Sequence, residues 1–253
     1  MKKALTIAGF DPSGGAGLQA DLKVFHSLGV YGLSVVSSLT AQNTEGVSSI
    51  LPVDAEFIKK QLTVLLSDIK PDAVKIGMLY AESNVKAVAG IIKKYSLGNI
   101  VIDPVILSSS GKRLAGKNAV TAIRKKIFPF CKVITPNIHE ASFISGVRIK
   151  NITDMERAAV CLKDYGAENV IVTGGHLEQV TVDVFYNGNF HYLKGKKISG
   201  EYHGTGCMFS AAITAFLARG NSALKAAKLA KEFMNKAFRK SFGTGGRMRL
   251  FDI

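Results

Sequence analysis

The sequence predicts an α/β fold, in which a mostly parallel central β-sheet carries helices on both faces and a small β-hairpin comes late in the chain. Short apolar or β-branched runs alternate with amphipathic stretches throughout, as expected for parallel strands joined by crossover helices. Polar residues and glycines follow directly after the apolar runs. Late in the chain, Asn187-Gly188 stands between two alternating segments, which is typical of a hairpin turn.

Six apolar runs have the length and composition of buried strands. They are Lys3 to Ala8, Leu33 to Thr40, Ala73 to Gly77, Asn99 to Asp103, Lys132 to Thr135 and Asn169 to Thr173. The spacing of apolar residues predicts a helix over Asp54 to Ile69, where the aspartate can cap the first turn. Two long helices, beginning near Gly206 and Ala223, are predicted to close the chain. No repeat or flexible linker interrupts the pattern, so we expect residues 1–253 to form a single domain.

The composition is that of an ordinary globular protein. Of the 253 residues, 47% are hydrophobic and 21% are charged, and no apolar run approaches the 18 residues of a membrane span. The N-terminal apolar run is too short for a signal peptide, so we expect a cytoplasmic location. Cys131, Cys161 and Cys207 are an odd number of cysteines at wide spacings, which argues against disulfides and structural zinc.

The chain is basic, with 33 Lys and Arg against 19 Asp and Glu and a formal net charge of +14. The basic residues are scattered, and no nucleic-acid-binding motif accompanies them. We therefore expect no specific nucleic-acid partner and no membrane partner. A basic surface instead favours small phosphorylated substrates.

The segment His203-Gly204-Thr205-Gly206-Cys207 is the strongest candidate for an anion site. Its glycines let successive backbone N–H groups turn toward one point, at the positive end of the helix that follows. A thiol at the same helix start should have a lowered pKa, so Cys207 could act as a base or nucleophile. The alternative interpretation is that Cys207 is a small buried apolar residue.

The sequence offers only weak support for a dinucleotide-binding site and none for a P-loop. Gly15-Ala-Gly-Leu-Gln-Ala20 matches the dinucleotide-binding pattern, but the second predicted strand ends in Ala41-Gln42 without the acidic residue that a nicotinamide site requires. A P-loop motif is absent from the sequence. In an open α/β sheet, ligands bind beyond the carboxyl ends of the strands, so the polar residues after the six runs should describe one site.

Seven ordered segments together resemble the hydroxymethylpyrimidine/phosphomethylpyrimidine kinases of thiamine biosynthesis, within the ribokinase superfamily. They are Ala8 to Lys23, Thr40 to Thr44, Val74 to Leu79, Asp103 to Val105, Thr135 to Asn137 with Glu140, Gly174 to His176, and His203 to Cys207. The resemblance covers nearly the whole chain and implies a ribokinase-like fold, a homodimer, and ATP and Mg²⁺ as co-substrate and metal. The implied reaction is phosphorylation of 4-amino-5-hydroxymethyl-2-methylpyrimidine to its monophosphate and then to its diphosphate.

The resemblance also implies residue roles. Substrate-binding roles fall on Gly9, Asp21, Gln42, Met78 and Val105, with the Gln42 amide reading the aminopyrimidine edge. Asp21 would accept from the exocyclic amine, and Met78 and Val105 would pack on the ring. Purely structural roles are the alternatives: Gln42 could cap the end of a strand, and Asp21 could be an acidic residue in the first turn of a helix. Met78 and Val105 could belong to the hydrophobic core.

Further implied roles concern phosphoryl transfer. Asn137, Thr173 and Asp103 would lie near the ATP phosphates, and Glu140, with Asp103 through water, would hold Mg²⁺. The amides of Gly204, Thr205 and Gly206 would stabilise the transferring phosphoryl group, and Cys207 would take the hydroxyl proton. Glu140 could instead be an exposed helix carboxylate. His176 and His203 are expected to be structural or supporting residues.

Three positions depart from the family pattern: Phe10 replaces a small hydroxyl residue, Thr173 replaces lysine, and Met208 replaces threonine or serine. The first could reshape the pyrimidine pocket, and the others remove possible phosphate contacts.

The nearest alternative function is that of a pyridoxal or pyridoxine kinase, because a pocket distinguishes related rings by only a few kcal/mol of binding free energy. A non-catalytic pyrimidine-binding protein and a nicotinamide-dependent oxidoreductase are the alternatives from other classes.

Overall fold

The structure is a computed structural model, which describes residues 1–108, 111–175, 182–195 and 198–253. The strands are β1 (Lys3–Phe10), β2 (Tyr31–Gln42), β3 (Val47–Pro52), β4 (Ala73–Ile76), β5 (Ile100–Ile102), β6 (Cys131–Ile134), β7 (Val170–Val172), β8 (Val182–Tyr186), β9 (Phe190–Lys194), β10 (Ser241–Phe242) and β11 (Leu250–Phe251). The helices are α1 (Gly17–Ser27), α2 (Ala55–Asp68), α3 (Glu82–Tyr95), α4 (Lys117–Lys126), α5 (Ile138–Ser145), α6 (Ile152–Lys163), α7 (Thr205–Ala218) and α8 (Ala223–Arg239).

The first nine strands form one sheet in the order β3-β2-β1-β4-β5-β6-β7-β8-β9. Strands β2, β1, β4, β5, β6 and β7 run parallel, while β3, β8 and β9 pair antiparallel at the two edges. The predicted α/β class with a mostly parallel sheet is confirmed. Because the six parallel strands point the same way, their carboxyl ends share one edge of the sheet.

Helices cover both faces of the sheet, as predicted. Buried side chains of α2 to α6, such as Ile58, Val88 and Ile123, form one core cluster, and those of α1, α7 and α8, such as Phe25 and Ala212, form the other. No helix in the described ranges is long and apolar enough to span a membrane.

Local sequence accounts for where the helices begin. Asp54 caps α2 by accepting hydrogen bonds from the amides of Glu56 and Phe57, as its position before the apolar pattern predicts. In α7, every residue from Met208 to Ala218 is buried, because this helix packs against both α1 and α8. A helix that is apolar on all sides belongs in the interior.

Three features differ from the predictions. Strand β3 was not predicted, because Val-Ser-Ser-Ile-Leu-Pro is short and only partly buried. It pairs antiparallel with β2 after a turn in which the Asn43 side chain accepts hydrogen bonds from the Glu45 and Gly46 amides. The hairpin around Asn187-Gly188 is present, but it extends the main sheet, since β8 pairs with β7. Strands β10 and β11 form a second, two-stranded sheet near the C-terminus.

Candidate functional site

The candidate site lies where the carboxyl ends of the central strands meet the start of α7. The loop 11–17 leaves β1, and the turn 203–206 enters α7 directly against it. A side chain at Gly204 would place its Cβ 1.9 Å from the Gly15 carbonyl oxygen, and one at Gly17 would lie 2.3 Å from the Gly9 oxygen. The close approach of these backbones therefore requires glycine, and Gly204 also has a left-handed φ of 78°.

Asp11 organises the loop that leaves β1. Its carboxylate accepts hydrogen bonds from the backbone amides of Ser13 (2.9 Å), Gly15 (3.2 Å) and Ala16 (2.8 Å). It also accepts a bond of 2.8 Å from Nε2 of His203. Burial raises the pKa of Asp11, but the hydrogen bonds, with that of His203 the strongest, outweigh burial and hold the pKa below its ordinary value. Asp11 is therefore a carboxylate at neutral pH.

Cys207 lies half-buried in the first turn of α7, close to the Asp103 carboxylate and to the Gly17 amide. The expectation of a lowered pKa is wrong. Burial raises the pKa of Cys207 to about 12, and the carboxylates of Asp103 and Asp21 add to the increase, while Lys75 opposes it. Loss of solvent thus outweighs the favourable end of the helix dipole, and Cys207 rests as a neutral thiol.

Asp21 and Lys75 form an ion pair beneath this thiol. Lys75 Nζ lies 2.6 Å from Asp21 Oδ1, both side chains are fully buried, and Thr6 Oγ1 donates to Asp21 Oδ2 at 2.6 Å. Burial raises the pKa of Asp21 to about 6. Burial alone would lower the pKa of Lys75, but the carboxylates of Asp21 and Asp103 raise it, so the amine stays protonated.

This placement bears on the substrate-binding role predicted for Asp21. Both carboxylate oxygens are already bonded to protein groups, and the side chain has no exposed surface. Direct acceptance from a substrate amine would require those bonds to break. The structure therefore favours an indirect contribution from Asp21, through Lys75.

Asp103 and Glu140 bring two buried carboxylates to the ends of β5 and β6. Glu140 is 4% exposed, so it is not the exposed helix carboxylate of the alternative interpretation. Its two oxygens accept from the amides of Ile106 (3.2 Å) and Asn137 (3.0 Å), and Asn137 in turn caps α5, which completes a capping box. Burial and the neighbouring Asp103 raise the pKa of Glu140 well above its ordinary value, and burial also raises that of Asp103.

These two carboxylates fit the requirements of a Mg²⁺ ion. Mg²⁺ is commonly held by one or two carboxylates together with substrate phosphates and waters, and a cation would relieve the repulsion between the pair. Within the described residues, no cluster of three or more His, Cys, Asp or Glu side chains forms a complete protein cage. A metal here would therefore need phosphate oxygens to complete its coordination.

Asn137 and Thr173, both predicted to lie near the ATP phosphates, are neighbours in the structure. They form an isolated parallel bridge in which the Thr173 amide donates to the Pro136 carbonyl at 3.0 Å. The Asn137 side chain accepts from the amides of His139 and Glu140. It is therefore engaged in capping α5, and it keeps its amide N–H groups for other partners.

Three of the residues predicted to bind the substrate, Gly9, Met78 and Gln42, lie on the β1 side of the site. A Cβ at Gly9 would be 2.9 Å from Ser38 Oγ and 3.5 Å from Met78 Sδ, so Gly9 and Met78 are adjacent. Gln42, at the end of β2, lies close enough to the Asp11 carboxylate to help lower its pKa. Val105 is half-buried directly after β5.

Two of the positions that depart from the family pattern have different environments. Phe10 is 41% exposed, and its carbonyl accepts from Thr40 Oγ1, so its side chain is free to alter the shape of the pocket. Met208 is buried within the α7 core. His176 lies outside the described residues.

Sequence reasoning assigned no role to Asp11 or Lys75 and only a supporting role to His203. A signal existed for Lys75, because a lysine inside the buried strand Ala-Val-Lys-Ile requires a buried partner. No comparable signal linked Asp11 to His203, since 192 positions separate them in the sequence.

Comparisons with known proteins agree with this geometry. The family model described as phosphomethylpyrimidine kinase matches residues 11–250. The chain is 38% identical to the hydroxymethylpyrimidine/phosphomethylpyrimidine kinase of Bacillus subtilis (strain 168), over 96% of this chain and 91% of the relative. It is 41% identical to the thiamine biosynthesis bifunctional protein ThiED of Geobacter sulfurreducens, over 93% of this chain but only 49% of that longer protein. Among solved structures, the ADP complex of Bacillus subtilis pyridoxal kinase superposes with a TM-score of 0.91 and 38% identity, covering 100% of this chain and 97% of that chain.

Proposed function

This chain belongs to the phosphomethylpyrimidine kinase family, and from that premise we propose that it phosphorylates 4-amino-5-hydroxymethyl-2-methylpyrimidine to the monophosphate and then to the diphosphate. The family membership drawn from the sequence is confirmed. The chain is a phosphotransferase, with ATP as co-substrate. The name of the Geobacter relative indicates thiamine biosynthesis as the pathway.

The observation that carries the proposal is the position of Cys207. Its thiol lies close to the Gly17 amide and to the Asp103 carboxylate, in the first turn of α7. The amides of Gly204, Thr205 and Gly206 at the same helix start are suited to stabilise charge on a transferring phosphoryl group, an effect of about 3 to 4 kcal/mol per donor. Such positioned donors are the main requirement of phosphoryl transfer.

The neutral thiol determines how the proton leaves the substrate. We propose that the hydroxyl proton passes to Cys207 Sγ while the thiol proton passes to the Asp103 carboxylate. The hydroxyl oxygen then forms the bond to the γ-phosphorus of ATP, and the bond from that phosphorus to ADP breaks. General-base assistance of this kind contributes about 10² to 10⁴ in rate, so the electrostatic effect of the amides should exceed it.

The remaining roles follow the positions of the side chains. Gln42 would read the aminopyrimidine edge, Gly9 would allow close approach of the ligand, and Met78 and Val105 would pack on the ring. Asp21 would act through Lys75, which is a change from the direct contact first predicted.

The ATP side of the site would be formed by Asn137, Thr173 and Asp103, whose strand ends are adjacent. We propose that Glu140, with Asp103 through water, holds Mg²⁺. When bound, the metal supplies charge neutralisation for the phosphates.

A homodimer and a cytoplasmic location remain predictions. One apolar surface supports the homodimer: Leu39 of β2 and Leu51 of β3 are paired in register, and they are 43% and 64% exposed. Phe57 of the following helix is 57% exposed. Light scattering after size exclusion would test the assembly, and replacement of both leucines by serine should favour the monomer.

The deciding experiment is turnover with Mg²⁺ and ATP, using hydroxymethylpyrimidine, its monophosphate and pyridoxine as parallel acceptors, with products identified by mass. Diphosphate formation from the pyrimidines would support the proposal. Cys207→Ala should lower kcat by about 10² to 10⁴ while calorimetry shows that pyrimidine binding is retained. Cys161→Ala is the matched control, because Cys161 is a half-buried thiol on α6. Loss of pyrimidine binding in Cys207→Ala would contradict the assigned role.

A second candidate function is pyridoxal or pyridoxine phosphorylation, which the similarity to the Bacillus subtilis pyridoxal kinase favours. In both reactions a hydroxymethyl group on a heteroaromatic ring receives the phosphoryl group. Turnover of pyridoxine without the pyrimidines would establish this alternative and would show that the Gln42 amide does not select the ring.

A further inference from the structure

The side chains of Asp11 and His203 join two loops that are far apart in the sequence. His203 Nε2 lies 2.8 Å from Asp11 Oδ2, with 192 positions between the two residues. Asp11 is 2% exposed and His203 is 8% exposed. An ionised carboxylate can only accept hydrogen bonds, so Nε2 carries the proton in this pair.

On one side of the pair, Asp11 holds the loop that leaves β1. The same oxygen that accepts from His203 also accepts from the amides of Gly15 and Ala16. The Asp11 carboxylate also lies close to the side chain of Gln42, the residue proposed to read the substrate ring. Because the loop amides hold the carboxylate independently of His203, loss of the His203 bond should move the turn at Gly204 rather than the substrate-binding loop.

On the other side, His203 holds the turn that enters α7. It directly precedes Gly204, and its own amide donates to the Arg249 carbonyl at 3.0 Å. The ring packs against the backbone at Gly15, where an added Cβ would lie 2.5 Å from His203 Cδ2. The ring thus fixes where the Gly204 to Gly206 amides lie relative to the loop 11–17.

Packing alone does not explain a histidine at this position. His203 Nδ1 is buried and has no hydrogen-bond partner among the described residues. An unpaired buried polar atom is unfavourable, and an apolar side chain would avoid it. The hydrogen bond from Nε2 to Asp11 is what distinguishes histidine from an apolar residue of similar size.

We infer that Asp11 and His203 are a pair of positioning residues, whose hydrogen bond keeps the Gly204 to Gly206 amides in register with the substrate-binding loop. The inference rests on the proposed function, since those amides are the proposed phosphoryl-stabilising donors. Small misplacements of such groups cost up to about a hundredfold in rate. Neither residue needs to touch the substrate for this effect.

Two substitutions of His203 separate the hydrogen bond from the packing. His203→Leu removes the donor and keeps an apolar side chain, whereas His203→Gln keeps an N–H group near the position of Nε2. The same two changes at the exposed His26 on α1 are the controls. We expect His203→Leu to lower kcat by about tenfold to a hundredfold, with KM for the pyrimidine and for ATP little changed, and His203→Gln to restore most of kcat.

Hydrogen exchange of the ligand-free protein tests the pair independently of activity. Peptides that cover residues 204–207 should exchange faster in His203→Leu than in the wild type, and His203→Gln should reverse the change. An unchanged kcat in His203→Leu, an effect on KM alone, or equal losses in both variants would overturn the inference. If the wild-type protein phosphorylates none of the acceptors, the proposed function fails. In that case the exchange experiment alone decides whether Asp11 and His203 hold the two loops together, and unchanged exchange in His203→Leu would overturn that role.

Discussion

Lys75 Nζ lies 2.6 Å from Asp21 Oδ1, and neither side chain has any exposed surface. The pair joins β4 to α1 directly below Cys207, and Thr6 bonds the second carboxylate oxygen. Two charges withdrawn from water are tolerated only because each neutralises the other. Removal of one partner leaves the other charge buried and unpaired.

We therefore expect Lys75→Met to reduce the free energy of unfolding by about 3 to 5 kcal/mol. Urea denaturation at pH 7 would measure the change. Lys86→Met is the matched control, because Lys86 forms an exposed pair with Glu82 at 2.7 Å, and such pairs contribute about 0 to 1 kcal/mol. Equal losses in the two variants would show that the buried pair has no special role. The double variant Lys75→Met with Asp21→Leu should recover part of the loss.

A methyl group at Gly204 should be far more disruptive than one at Gly220. Both glycines have a left-handed φ, of 78° and 86°, so alanine strains the backbone similarly at each. Only at Gly204 would the new Cβ meet another atom, the Gly15 carbonyl oxygen at 1.9 Å, whereas nothing lies within 4 Å at Gly220.

Gly220→Ala should therefore cost about 1 kcal/mol of stability and leave kcat unchanged. Gly204→Ala must push the turn away from the loop 11–17, so we expect kcat to fall at least about a hundredfold. Thermal unfolding and steady-state kinetics on both variants would test this. Similar kinetics in the two variants would mean that the contact between the loops does not position the amides.

Glu140→Gln separates the structural role of Glu140 from its charge. Glutamine can replace glutamate in a capping box, so α5 should keep its cap. The glutamine NH2 group, however, cannot accept from the buried Ile106 amide, and the free energy of unfolding should fall by about 1 to 3 kcal/mol. The loss of a carboxylate should raise the Mg²⁺ concentration required for half-maximal turnover by about tenfold or more. Glu56→Gln, at an exposed position on α2, serves as the control. An unchanged Mg²⁺ requirement would remove Glu140 from the proposed metal site.

The main elements of the fold follow from local patterns that the sequence displays. Apolar runs of strand length and the helical spacing after Asp54 predict β1, β4 to β7 and α2 to within a few residues. Strand β3 escaped prediction because its pairing with β2 depends on the Asn43 turn and on register, which do not appear as a strong apolar pattern. The prediction for β8 and β9 had the right hairpin but missed its pairing with β7, a contact between distant segments.

The site shows the same division between local and distant information. Glycine-rich segments and strand ends indicate which parts of the chain come together, since the carboxyl ends of parallel strands share one edge. The protonation state of Cys207 could not be predicted in this way. It depends on burial and on Asp103, Asp21 and Lys75, which reach the thiol from three other elements.

The lowered pKa of Asp11 predicts a dependence of stability on pH. A carboxyl whose folded-state pKa lies below its unfolded value of about 3.9 stabilises the protein above that value, and the contribution is lost as the pH falls toward the folded-state pKa.

The variant Asp11→Asn tests this dependence, because asparagine does not titrate. The substitution also weakens hydrogen bonds that are made to a charged acceptor, which contribute about 1.5 to 3 kcal/mol each. Urea denaturation from pH 7 to pH 3 should show a deficit relative to wild type that is constant above about pH 5 and shrinks below about pH 4. Asp68→Asn, at an exposed position on α2, should stay within about 0.5 kcal/mol of wild type at pH 7. A deficit for Asp11→Asn that is independent of pH would mean that the charge of Asp11 does not hold the loop, and that the shape of the side chain is sufficient.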